Sequence, residues 1–357
     1  MPNHKVYLGK IKKAVPVKET ETDMLLNKGV IPLRVDFDDD VSALLDMSQP
    51  RAAVWAKMIA LLRKDDKPIY VEVAADTDII TQLCVPVATR VLEMYATDEE
   101  VVDVALSASD ALYSLRRDHP YFRQFYDLLQ DAKERDTKIM VTATLHVSDI
   151  IDVRALPTYF GQEDRDEPLP LPQPPTQVSP ERATELFNMV SADNCRYHAI
   201  THACIPFNYA YSGCDIRAHL MCHMMVDEGV IPEKIWASGA LKARAVNVPQ
   251  CKVGWRFHVA PILTVIQAGQ EVKMVIDPSL CNRPVTVDYW ISLQNYPNAL
   301  VTINDWQGYA YRATGSATWE KTNDDMEHCR LALEDMWATD APPYECLLCD
   351  DQDGSKS

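Results

Sequence analysis

Apolar positions in the first 160 residues fall mostly in short runs with partial two-residue alternation. The stretches "PIYVEVAAD", "QLCVPVATRVLEMYA", "EEVVDVALSAS" and "KIMVTATLHVSDIIDVRAL" are rich in Val, Ile, Thr and Tyr and are broken by short polar segments. That pattern predicts strands of a small barrel or curled sheet. In "HPYFRQFYDLLQDAKERDTK" the spacing changes: Phe122, Phe125, Tyr126 and Leu129 repeat at helical intervals, so one helix packs on that sheet. The segment from "DMLLNKGV" to "LLRKDD" adds one or two helices around a short strand. No internal repeat is evident, and residues 1–160 offer no cluster of reactive side chains.

The alternation stops at "GQEDRDEPLPLPQPPTQVSP", residues 161–180, where an acidic cluster runs into prolines. Such a composition favours extended, solvated backbone and reads as a linker. After it, "SPERATELFNMVSADN" predicts a helix with Ser179 as N-cap, Pro180 in the first turn and Glu181 near the positive end of the dipole. "YSGCDIRAHLMCHMMVDEGV" predicts a second helix, with Ile216, Leu220, Met221 and Met224 as its apolar stripe and Gly229 closing it. Strand-like runs and a last helix near "DDMEHCRLALEDMWA" complete an α+β order, helices before an antiparallel sheet. The expected division is a β-rich domain at 1–160, a linker at 161–180, a second domain at 181–340 and an acidic tail at 341–357.

Composition narrows the partners. The chain has 357 residues and a formal charge of −17, and no basic patch gathers anywhere to offset that charge. Long-range repulsion therefore opposes nucleic acid. No apolar run approaches a membrane span, so no membrane partner is expected. The N-terminus "MPNHKVYLGKIKK" lacks the pattern of a secretory signal, which sets a cytoplasmic location and free thiols for the ten cysteines as expectations.

One thiol stands out. Cys214 opens a helix, where unpaired N–H groups and the dipole are expected to lower its pKa toward neutrality. A thiolate nucleophile needs an imidazole, and the imidazole a group to orient it. "WRFHVAPILTVIQAGQEVKMVIDPSL" supplies both. If residues 267–270 close a hairpin, Ile266 opposes Glu271, and Asp277 becomes the diagonal neighbour of His258, about 7 Å away at the backbone. Pro278 then ends the ladder beside Asp277. The order Cys, His, Asp is that of papain-like hydrolases.

"IPFNYAYSGCDIRAHLMCHMM", "EKIWASG", "WRFHVAP" and "VIDPSLCNRPVTVDYW" together resemble the protein-glutaminase family, protein-glutamine deamidases with a papain- or transglutaminase-like core, over about residues 190–295. The resemblance implies Cys214 as nucleophile, His258 as general acid/base and Asp277 as orienting carboxylate. It implies a thioester acyl-enzyme formed on a glutamine γ-carboxamide of a peptide, protein or carrier-bound substrate, with no cofactor.

Gly213, Ser212 and His219 are expected around the oxyanion or in support of the site. Trp236, Trp255 and Trp290 are expected to wall it. The β-rich domain is expected to offer a docking surface for a partner protein. His219 and His223, four apart beside Cys222, have metal-ligand spacing, but no glutamate lies between them and no third ligand follows, so no metal is assigned. "CLLC" at Cys346–Cys349 is a lone pair in the acidic tail. Acyl transfer or cyclisation at the same γ-carbonyl, or a non-catalytic binding protein on the same fold, are the alternatives.

Overall fold

A computed structural model describes residues 4–17, 31–38, 40–96, 100–145, 148–156, 167–195, 200, 203–245, 252–309 and 315–338. The Cys346–Cys349 pair and the whole acidic tail lie outside them. The chain divides into two compact units. The first holds residues 1–104, 113–160 and 334–340; the second holds 105–112, 161–333 and 341–357.

The strands of the β-rich region are β1 (His4–Pro16), β2 (Leu33–Phe37), β3 (Ser42–Leu45), β4 (Pro68–Ala74), β5 (Ile80–Cys84), β6 (Val87–Tyr95), β7 (Val101–Leu106), β8 (Leu112–Arg116), β9 (Lys138–Ala143) and β10 (Ile150–Ala155). They form two five-stranded sheets, ordered β3-β2-β1-β4-β5 and β10-β9-β6-β7-β8. Helix α1 (Ala52–Lys64) crosses from β3 to β4 and helix α2 (Phe122–Glu134) from β8 to β9. The expected curled sheet is therefore two sheets. Each curls until its edge strands meet at one parallel bridge, Leu44 with Ile79 and Ser114 with Asp149, and neither closes into a barrel.

The two sheets have the same topology, and here the structure corrects the sequence reading, which sees no repeat. Matched features stand seventy positions apart, as with Asp66 and Asp136, which both turn the chain after a helix with φ of 52° and 49°. Asp78 and Ser148 do the same with φ of 54° and 56°. Their carbonyls accept from Leu44 N–H at 2.9 Å and Ser114 N–H at 3.0 Å. The buried positions Trp55, Ile59 and Leu62 of α1 recur as Phe125, Leu129 and Ala132 of α2. The repeat escapes notice because what recurs is polarity and backbone conformation, while the side chains differ.

The second unit contains β11 (Glu167–Pro168), β12 (Gln177–Val178), α3 (Pro180–Ala192), α4 (Cys214–Asp227), β13 (Glu233–Arg244), β14 (Lys252–Gln267), β15 (Gln270–Val275), β16 (Val285–Thr286), α5 (Val287–Ser292), β17 (Leu300–Asp305), β18 (Gly315–Ser316) and the start of α6 (Trp319–Ala338). Its main sheet runs β16-β15-β14-β13-β17, with β12 added parallel to β14. Part of the proline-rich stretch is thereby tied to the unit: Glu167–Pro168 pairs with Gly315–Ser316, and Gln177–Val178 with Thr264–Val265. Ser179 caps α3 through its hydroxyl, which accepts from Arg182 N–H at 3.2 Å, with Pro180 in the first turn. The order of helices and antiparallel strands is α+β, as the pattern predicts.

Helix α4 differs from the expected one-sided stripe. Leu220 and Met221 are buried, but so are Cys214, Arg217, Ala218, His219, Cys222 and Met225, whereas Ile216 and Met224 are only half-buried. The helix is enclosed on most sides instead of lying on a surface, and such a helix need not be amphipathic. Gly229 at φ 76° ends it, as expected, with Val230 N–H returning to Met225 C=O at 2.9 Å. The free-thiol expectation fails at one place: Cys195 and Cys204 are disulfide-bonded, while Cys84, Cys214, Cys222, Cys281 and Cys329 are free. Proximity in the fold decides pairing, and a spacing of nine through a loop carries no such signal in the sequence.

Candidate active site

The site begins with a turn that only glycine fits. Gly213, the residue before α4, has φ 80°, and a Cβ built on it would stand 2.7 Å from Cys329 Sγ. Arg217 clamps the same turn from inside, donating from Nη1 to Tyr209 C=O at 2.9 Å and to Ser212 C=O at 2.7 Å. Cys214 is thereby fixed as the first helical residue, 1% exposed. Its thiol lies against β14, 4.0 Å from the Phe257 carbonyl.

The next residue on that strand is His258. The hairpin has the expected register: Ile266 opposes Glu271, and the turn tightens to Ala268–Gly269, with φ of 51° and 79°. That register brings Asp277 to His258, with Nε2–H donating to Oδ2 at 2.8 Å. Trp290 Nε1–H donates to the same oxygen at 2.7 Å, and Ser279 N–H to Oδ1 at 3.0 Å. Burial alone would raise the Asp277 carboxyl. The His258 charge and these hydrogen bonds outweigh it and hold the carboxyl below its ordinary value. An acceptor-only carboxylate takes the Nε2–H, which leaves Nδ1 as the nitrogen that can exchange a proton with a neighbour. Nδ1 is buried and has no hydrogen-bond partner among the described residues.

The three expected tryptophans take different places. Trp255 stacks on the His258 ring at 4.6 Å and 14°, and Trp290 lies on it at 5.6 Å and 26°. Trp255 Nε1–H is anchored to Ala210 C=O at 2.9 Å, which ties β14 to the turn before Cys214. Trp236 packs its ring on Phe257 at 5.6 Å. His219 enters a separate buried polar network: Nε2 donates to Ala317 C=O at 3.0 Å, and Nδ1 accepts from the Lys234 ammonium at 2.8 Å. Burial and that ammonium lower His219 to about 2, and burial lowers Lys234 to about 8. His219 is thus a neutral ring supporting α4 from behind. His223 donates to the same Ala317 carbonyl at 3.2 Å, which accounts for the i, i+4 histidines.

Sequence reasoning misses Asp110. It lies between β7 and β8, in the segment 105–112 that belongs to the second unit, and is 1% exposed. Its Oδ1 accepts from Ser212 Oγ–H at 2.7 Å and from Gly213 N–H at 3.1 Å, and its Oδ2 from Cys214 N–H at 3.4 Å. Its carbonyl accepts from Arg256 N–H at 2.8 Å, and Ala111 forms an antiparallel bridge with Trp255. The Ser212 and Ser109 hydroxyls lie 2.9 Å apart. The expectation of a lowered thiol pKa is reversed as a result. Burial pushes the Cys214 thiol well up, and the negative charges of Asp110 and Asp215 push it further, against Arg217. Asp215 is itself raised to about 6, by burial and then by Asp110.

Residues 183–294 match the model of the family described as Glutaminase. Over this domain the chain is similar to that family. That domain spans α3, α4, the long hairpin and α5, so it contains Cys214, His258, Asp277 and Trp290. Among solved structures, the chain is similar to the crystal structure of pro-protein-glutaminase, at 22% identity and a TM-score of 0.54 over 69% of this chain and 92% of that one. A mutant of the same proenzyme matches at 20% identity with the same TM-score and coverage. The NMR structure of protein-glutaminase from Chryseobacterium proteolyticum is a weaker likeness, 27% identical with a TM-score of 0.37, over 41% of this chain and 85% of that one. No curated protein matches the sequence at a significant level. The glutaminase-like domain supports an amidohydrolase with deamidase activity in general.

Proposed function

We propose that the chain is a cysteine-dependent amidohydrolase that converts the γ-carboxamide of glutamine in a peptide or protein to the carboxylate. The observation that carries this reading is the His258 ring. Its Nε2–H is held by a buried carboxylate, two indoles stack on it, and its buried Nδ1 has no partner among the described residues, one residue from the carbonyl nearest the Cys214 thiol. A structural histidine would have both nitrogens satisfied.

In the proposed reaction Cys214 gives its proton to His258 Nδ1, and the sulfur adds to the amide carbon. The resulting oxyanion is met by the Cys214 N–H and its neighbours in the turn. The imidazolium protonates the nitrogen, the C–N bond breaks, ammonia leaves and a thioester remains. Water then gives a proton to Nδ1 and adds to the thioester, and collapse returns the proton to sulfur and releases the γ-carboxylate. Asp277 keeps the ring in the tautomer this requires and stabilises the imidazolium. No step calls for a metal or an organic cofactor.

The test is incubation of wild type and Cys214→Ser with a blocked glutaminyl dipeptide, following ammonia and substrate mass. Deamidation adds about one mass unit and depends on Cys214. Cyclisation, or transfer to an added amine, would appear as a different mass change. Equal turnover by both proteins would overturn the reading.

A further inference from the structure

Helix α5 is six residues long, too short to be stable alone, and Trp290 is its one buried residue. What holds the helix therefore decides where the Trp290 indole points. At its end the Gln294 N–H turns to Ile291 C=O at 3.0 Å, whereas a continuing helix would direct it to Trp290 C=O. The Gln294 side chain takes that place, with Nε2–H donating to Trp290 C=O at 3.3 Å.

Gln294 is in turn fixed to the sheet. Its C=O accepts from Lys242 N–H at 2.9 Å, and Asn295 Nδ2–H donates to Lys242 C=O at 3.0 Å. Tyr296 lies on Gly239, where a Cβ would stand 2.3 Å from the ring. The segment 294–296 thus runs along β13 beyond β17, which pairs only with residues 233–238. Lys242 opposes Gly254 of β14, and β13 bulges between Ser238 and Leu241, opposite Phe257 and Trp255. A closed path results: His258 to Asp277, Asp277 to Trp290, Trp290 to Gln294, Gln294 to Lys242, and from Lys242 across to the strand that carries His258.

A carboxamide is not the most stable way to fill this space. Gln294 is 0% exposed, and its Oε1 has no hydrogen-bond partner among the described residues. A buried carbonyl left so costs free energy that an apolar side chain of similar length does not. Packing alone gives no reason for the amide, and holding Trp290 does.

We propose that Gln294 is a positioning residue for the reaction: its carboxamide holds the Trp290 carbonyl, the indole N–H is thereby kept on Asp277 Oδ2, and Asp277 keeps His258 aligned for Cys214. This role rests on the reading of His258 as general acid/base. Gln294 acts through Trp290 and Asp277 and not on the substrate.

The test follows ammonia release from the blocked glutaminyl dipeptide by full-length Gln294→Met and Gln294→Leu, with denaturant unfolding of each. Both variants keep an apolar stem and lose the donor. Their kcat should fall about ten- to a hundredfold with KM little changed, since misalignment costs the transition state and not ground-state binding. The unfolding midpoint should equal that of wild type or exceed it. Trp290→Phe keeps a ring, loses the indole N–H and should lower kcat comparably. Adding Gln294→Met to it should cost little more, because both substitutions break one chain of bonds. Independently of turnover, the Trp290 indole N–H is identified in proton–nitrogen correlation spectra by its loss in Trp290→Phe. In Gln294→Met that proton should exchange with solvent faster than in wild type, while the other indole protons exchange as before.

A midpoint that falls together with kcat in both Gln294 variants would overturn the proposal, as would losses that multiply in the double variant. An unchanged Trp290 indole proton would overturn it whether or not any γ-amide is hydrolysed. Ammonia release that needs Cys214 but ignores both Gln294 variants leaves the deamidase reading standing and removes the positioning role. If wild type releases no ammonia while the indole proton loosens in Gln294→Met, the deamidase reading fails and the hold of Gln294 on Trp290 stands.

Discussion

The two sheets of the β-rich region share one topology and matched turns, and they part at one turn. Asp40 and Asp110 occupy the same place, between the second and third strands of their sheets. Asp40 has φ 55° and its side chain is 91% exposed, with Lys12 beside it at 3.3 Å. Asp110 is absent from the positive-φ residues, is 1% exposed, and is bonded to the turn that carries Cys214. Everything that curls the sheets is present twice: the turns after the helices, the 78/148 carbonyls, the buried faces of α1 and α2. The difference teaches that a sheet needs its buried face and its turns to fold, while the tip of a hairpin is free to acquire a second role.

The sharpest way to break this comparison is through activity. If the chemistry lies wholly in the glutaminase-like domain, His258→Ala should lower kcat for the glutaminyl dipeptide by about 10³-fold or more. Asp40→Ala should stay within about twofold of wild type, as a surface substitution remote from special features does. A large loss from Asp40→Ala would show that the two turns are not functionally distinct.

The next effect is on stability. Trp55→Ala and Phe125→Ala remove matched core rings, and each should cost about 3–5 kcal/mol in denaturant unfolding. A cost confined to one of them would mean that only one sheet forms a true core. Gly213→Ala has no counterpart in the repeat. Its positive φ and the approach of Cys329 should cost about 2 kcal/mol or more, read as a lower unfolding midpoint.

Acid should separate the two regions as well. The folded Asp277 carboxyl is held below its unfolded value, so its contribution to stability is complete above the ordinary carboxylate range and is lost as pH falls through the folded value. Asp277→Asn should remove that part of the acid sensitivity of the second unit. The smallest effect expected is at the paired turns. Asp66→Gly and Asp136→Gly should each stabilise by at most about 1 kcal/mol, by matched amounts, since both residues have φ near 50°.

Much of the site was legible in the sequence because it depends on local rules. The Ser179 cap, the start of α4 at Cys214 and its end at Gly229 follow from short-range signals, and the register that delivers Asp277 to His258 follows from parity across one hairpin. What escaped depends on contacts far apart in the chain. "SASDA" reads as an ordinary polar turn, and nothing in it reveals that Asp110 stands 3.1 Å from Gly213 N–H, 103 positions away. The thiol pKa was misjudged for the same reason, since the helix dipole is local and the opposing carboxylate is not. The Cys195–Cys204 bond was missed because the expectation of free thiols came from an inferred compartment instead of from geometry.

The indoles stacked on His258 have a consequence for charge as well as for packing. An imidazole that gains a proton becomes a cation against two indoles, whose π systems attract positive charge. A charge formed on His258 during the reaction is therefore met by aromatic rings as well as by the Asp277 carboxylate, in a place closed to solvent.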